Sequence, residues 1–181
     1  MQKWNSKVQF PSDSCFVNRV TDATFGPSNS SGNPMLTLTC EVVSPATYEI
    51  GTETYNIAGV QTKNYYTTAV QGDDERTAEC QKRFKALWEL FGLDPNTINW
   101  DNPDVSPLRG KLILTQMSPD IEPQRKNPTA AQIEAAKKTG ARPEGDVQKH
   151  PVTGAPLINY WPKIREIFGL APQQDGVQMP Y

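Results

Sequence analysis

Histidine is nearly absent from this chain: His150 is the only one. It stands before Pro151 in a turn, with no second histidine and no cysteine beside it. That argues against an imidazole-ligated metal and leaves a Ser-His-Asp relay without support. Glycine-rich loops of the dinucleotide or Walker type are missing as well. A metal-dependent nuclease needs clustered carboxylates, often with a lysine close to the second acid. Asp104 and Asp120 could begin such a set. However, the continuations Asp146-Val-Gln-Lys149 and Glu134-Ala-Ala-Lys137 each carry one residue too many between acid and lysine. Asp101, Asp104 and Asp120 therefore read as loop and turn residues. No catalysis, metal or cofactor is expected.

Long apolar runs are lacking too. No stretch approaches the ~18 to 20 residues that span a bilayer, and MQKWNSKVQF has no apolar core of a secretion signal. No membrane partner is expected, and the expected location is cytoplasmic. Cysteine is scarce: Cys15, Cys40 and Cys80 are odd in number and widely spaced, the pattern of reduced core thiols. Charge of one sign is also missing, since 18 basic residues face 20 acidic ones. The distribution is uneven, with nine basic and five acidic residues in 110–165, so a nearly neutral molecule can still present a positive face. Proline is abundant at 16 residues, about twice the usual share, which implies a modest core and much loop.

β-branched and aromatic residues in 14–25 predict a strand that ends at Gly26-Pro27. After a small-residue loop at 26–34, Leu36, Leu38, Cys40 and Val42 alternate with polar residues, the period of a half-buried strand. A third β region covers 48–70, broken near Ala58-Gly59 and with Gly51 as a turn or bulge. Asp73 then caps a helix with the apolar stripe Phe84, Leu87, Trp88 and Phe91, stopped at Gly92 in the Schellman manner. Another strand is predicted over 109–117. A polar insertion at 118–145 follows, expected to be mobile, with a short helix over 128–138 capped by Asn127. Two short strands flank the HPVTGAP turn. ELFGLDP at 89–95 and EIFGLAP at 166–172 echo each other, which suggests two helical ends with the same glycine stop. The fold class is mainly β: an OB-fold-like, five-stranded, partly open barrel with one main helix after the third strand. It is read as one domain over 1–172 with a flexible tail at 173–181.

Cations and flat rings occur together on several of these strands. Single-stranded nucleic acid is held by cations along its phosphates and by rings on which bases stack. Arg19, Lys63, Lys111 and Lys149 are the candidates for phosphate, and Tyr65, Tyr160 and Trp161 for stacking. Alternation sends Tyr65 and Tyr66 to opposite faces, and likewise Tyr160 and Trp161, so one ring of each pair belongs to the core. Arg125, Lys126, Lys137 and Lys138 either extend the track or form a solvated face.

Two stretches carry a resemblance. SSGNPMLTLTCEVV at 30–43 resembles the Gly-Asn-Pro-Met strand element of a phage-encoded family of OB-fold single-stranded-DNA-binding proteins, and TGAPLINYWPKIREIFG at 153–169 is similar to that family's closing strand. The order between them, with a helix ending in LFGL and then GKLILT, is similar too. The resemblance implies a protein of the host-cell cytoplasm that coats and protects single-stranded DNA in phage replication or recombination, with little sequence preference. Replication or recombination proteins would be its partners. Members often end in an acidic tail, whereas QQDGVQMPY holds one acid, Asp175. The alternatives are a phage structural or protein-interaction component that ignores nucleic acid and, more distantly, a DNA-processing nuclease.

Overall fold

The computed structural model describes residues 1–172; the tail expected at 173–181 lies outside the described residues. In chain order the elements are β1 (Gln2–Lys3), β2 (Ser14–Pro27), β3 (Pro34–Ser44), β4 (Thr47–Ile50), β5 (Glu53–Asn56), β6 (Gln61–Thr67), α1 (Asp74–Leu90), β7 (Leu112–Pro123), α2 (Ala130–Thr139) and β8 (Ile158–Leu170). Single 3₁₀ turns occupy Pro95–Thr97 and Ser106–Leu108. The protein is mainly β, with eight strands in two sheets among the described residues rather than five in one. One sheet runs β6-β3-β2-β7-β8 and the other β1-β5-β4. No closed barrel forms among the described residues. The third β region breaks into β4, β5 and β6 because glycines with positive φ turn the chain at Gly51 and Gly59.

The chain divides into two compact units, and the sequence insertion forms most of the second. The first holds Met1–Trp4, Pro11–Ser118 and the described residues from Pro162 onward. Its frame is the antiparallel β2–β3 hairpin, paired from Val17↔Ser44 to Pro27↔Pro34, with an irregularity between Val20 and Asp22 that takes up one extra residue. β6 adds to the far side of β3 and β7 to the far side of β2. The alternation expected of β3 holds: Leu36, Leu38, Cys40 and Val42 are buried, and the residues between them reach the other face. α1 covers the apolar side with Phe84, Leu87 and Trp88. Phe84 stacks on Trp88 at 5.3 Å between ring centroids. Each large side chain so buried stabilises the fold by about 1.5–3 kcal/mol.

Both ends of α1 follow from sequence. The Asp73 carboxylate accepts from the Arg76 N–H at 2.9 Å, and Asp74 and Glu75 in the first turn complement the helix dipole. At the other end Gly92 adopts φ +72°, Gly92 N–H donates to Glu89 O and Leu93 N–H to Trp88 O. These are the two bonds of a Schellman stop. The echo at 166–172 is not helical: Glu166 through Leu170 continue β8, and Gly169 has φ +140°. Pro162 lies four residues before Glu166, so a helix ending at Gly169 could not run back through it as α1 runs back from Gly92, and only Ile164 and Ile167 are buried there. A second apolar stripe like that of α1 is missing.

The second unit holds Asn5–Phe10 and Pro119–Trp161. Here α2 is capped by Thr129, not by Asn127. Thr129 and Gln132 form a reciprocal capping box, with bonds of 3.3 and 2.9 Å, which satisfies two helix N–H groups and sets Pro128 before the cap. The segment around α2 is well tied. Arg125 pairs with Glu144 at 3.1 Å, Gln132 donates to Asp146 at 2.9 Å, and the Gln148 N–H donates to Gln124 O at 2.7 Å. A Cβ on Gly145 would run into the backbone of Lys126 and Asn127, so only glycine fits that close approach. The HPVTGAP turn closes on itself, with His150 Nδ1 accepting from the N–H groups of Val152 and Thr153.

Candidate nucleic-acid interface

β6 brings two of the expected residues together. Lys63 pairs opposite Thr39 and Tyr65 opposite Thr37, so both lie on the face of the sheet away from the core. Tyr65 is 59% exposed. Its neighbour Tyr66 turns to the core side, opposite Leu36, where burial and then the nearby Cys40 push its phenol up to about 12. The expected split of the pair is thus observed, with Tyr65 the outward ring. Lys63 has no acidic partner among the described residues.

Arg19 shares that outer face but faces Glu41 across the β2–β3 pair, with 3.4 Å between guanidinium and carboxylate. Nearby, Asp22 and Arg109 pair at 3.2 Å. These local pairs neutralise much of the charge on β2. Lys111 stands one residue before β7, while Leu112, not Lys111, is the partner of Arg19. Alternation therefore does not carry Lys111 to the face of Lys63 and Tyr65.

Lys149, Tyr160 and Trp161 belong to the second unit. Lys149 is exposed and bridges to Pro156 at the base of the 150–155 turn. Tyr160 is half-buried, and its backbone N–H donates to Ser6 O at 2.6 Å. Trp161 is 47% exposed. Of the further cations in this unit, Arg125 and Lys137 are engaged with Glu144 and Glu134, while Lys126 and Lys138 are exposed.

Tyr65 also lines a cleft of about 370 Å³ between β6 and α1, with Asn33, Arg76, Cys80, Arg83 and Phe84 around it. Arg76 and Arg83 were not among the residues expected from sequence. The signal was present, because positions 76, 80 and 83 have the i, i+4, i+7 spacing of one helix face. It was masked by the adjacent apolar stripe and by the acids of the first turn. Arg83 is 3.9 Å from Glu79, an exposed pair of little worth. Arg76 has no carboxylate partner among the described residues.

The loop joining β2 to β3 is more ordered than its composition suggests. Ser28 N–H donates to Asn33 O at 2.8 Å, Gly32 N–H to Ser28 O at 2.9 Å, and the Ser28 and Ser31 hydroxyls bond at 2.6 Å. Asn33 Oδ1 accepts from the Gln71 N–H at 3.2 Å, which fixes it at the cleft.

The thiols also divide. Cys40 is a core residue whose burial pushes it up to about 12, whereas Cys15 is exposed and Cys80 lines the cleft, so the core reading holds for Cys40 alone. Asp104 is a turn residue as expected: Ser106 donates to it through its hydroxyl and its N–H, which holds the carboxyl below its ordinary value. Among the described residues no three His, Cys, Asp or Glu side chains are grouped to hold a metal, and no helix is long and apolar enough to cross a membrane. No family model, curated protein or solved structure matches the chain.

Proposed function

We propose that this protein binds single-stranded DNA with little sequence preference and coats it, in the manner of the phage proteins its sequence resembles. The observation that carries the reading is Tyr65: a ring 59% exposed on the outer face of β6, two residues from Lys63, which has no acidic partner among the described residues, and part of the lining of a cleft. An exposed ring beside a free ammonium group is the minimal unit of sequence-tolerant binding, because every base has a flat face and every linkage a charge. The strand order β6-β3-β2-β7-β8, with α1 between β6 and β7 in sequence, supports an OB-like reading in which β6 and β8 are the unclosed ends. The deciding experiment titrates labelled oligo-dT and a duplex of equal length at two salt concentrations. Binding to oligo-dT that exceeds binding to duplex and weakens with salt is expected. Indifference to oligo-dT would sink the proposal.

A structural or interaction role is the second reading, favoured by the exposed Trp161, Phe168 and Leu170 along β8. Its sign is assembly of the chain in the absence of nucleic acid, with no response when oligo-dT is added.

A further inference from the structure

We infer that the α1 wall of the β6–α1 cleft is a phosphate-binding wall, on which Arg76 and Arg83 hold the backbone of a single strand whose base stacks on Tyr65. This rests on the proposed function and adds a second element, the helix, to an interface otherwise confined to strands.

Three features of the cleft carry it. Arg76 and Arg83 are seven residues apart on one helix face, about 10 Å along the axis at 1.5 Å per residue, and both line the cleft that Tyr65 and Tyr66 also line at the β6 edge. Their guanidinium groups are exposed and weakly engaged, one without a carboxylate partner among the described residues and the other 3.9 Å from Glu79. Planar forks so placed suit phosphate oxygens two at a time. The volume, about 370 Å³, falls in the range that accepts a small organic group. Asn33 adds a polar handle: its Oδ1 is held by the Gln71 N–H, which leaves its amide nitrogen to donate to a base edge. The aromatic floor is rigid, since Phe84 is buried and stacked on Trp88.

Cys80 lies between the two arginines in sequence and on the same wall, so it reports occupancy. Alkylation of the wild-type chain by iodoacetamide, followed at each cysteine by mass spectrometry, is expected to slow at Cys80 when oligo-dT is saturating. An unchanged Cys80 rate overturns the inference. In parallel, the double variant R76A/R83A is expected to bind oligo-dT about tenfold or more weakly, through lost charge-assisted hydrogen bonds. Its log-affinity against log-salt slope should be shallower by about 1.4, at roughly 0.7 per phosphate contact. Both positions are exposed, so circular dichroism of the variant is expected to match wild type. If wild type binds oligo-dT and the variant binds it equally with the same slope, the inference falls and the proposed function stands. If wild type does not bind oligo-dT, both fall.

Discussion

Tyr65 and Tyr66 are adjacent and chemically identical, yet strand alternation gives them opposite fates. Replacing Tyr65 by Ala is expected to cost about 1–3 kcal/mol in oligo-dT binding and to leave the thermal midpoint in place, because the ring is mostly in water already. An unfolded variant would assign that ring to the core instead. Tyr66 and Cys40 act on the stability side. Both ionise in the folded chain only near pH 12, against ordinary values of 10.0 and 9.0, chiefly because burial disfavours the charged forms. The unfolded chain therefore releases these protons first. Their contribution to stability is complete below about pH 9 and is lost as pH rises from there to about 12. Denaturant unfolding at stepped alkaline pH checks this: the midpoint falls through that window, and falls less in Tyr66→Phe. At this scale much was legible from sequence. Alternation within a strand is local, so Lys63 and Tyr65 could be assigned to one face from the chain itself. The engagement of Arg19 by Glu41 could not, because it depends on the register that sets two residues 22 apart in sequence opposite each other on β2 and β3.

Elements with a cap written into a few consecutive residues were the most readable. α1 begins at the carboxylate and ends at the glycine that the sequence marks. α2 was placed but capped at the wrong residue: Asn127-Pro128 is a plausible start, yet Thr129 with Gln132 satisfies two N–H groups where Asn127 would satisfy one. Thr129→Ala is expected to cost about 0.5–2 kcal/mol, seen as faster amide exchange in Ala130–Thr139 with little change elsewhere. Gly145→Ala is a harsher test. The added carbon meets backbone rather than a movable side chain, so a loss of about 1–3 kcal/mol is expected, read by thermal unfolding. The repeated EIFGLAP misled for a related reason. Identical short strings take their structure from what precedes them, and Pro162 with a sparse apolar pattern selects a strand. The breaks at Gly51 and Ala58-Gly59 were legible within the third β region, but the departure of β4 and β5 into a separate sheet with β1 was not, because the sheet to which each belongs is a long-range choice.

For the whole molecule the mainly β class was legible in the sequence, but the number of strands, their division into two sheets and the lack of closure among the described residues were not. The net charge of −2 means that any attraction for DNA comes from placement rather than surplus. With Lys63, Arg76 and Arg83 as the contacts of the first unit, the salt slope for oligo-dT is expected near −2, at roughly −0.7 per phosphate. Affinity measured from low to moderate salt checks it, and a slope near zero would remove phosphate from the account. Lys63→Glu should weaken binding to every sequence alike. One further property follows from the Ser28–Asn33 turn. The N–H groups of Ser28, Ser31, Gly32 and Asn33 are all bonded within the turn, so docking against it freezes few additional backbone torsions, and a rigid rim forgoes induced fit in exchange for a low entropic toll. Calorimetry would then register association without the large heat-capacity drop that accompanies a loop folding around its guest.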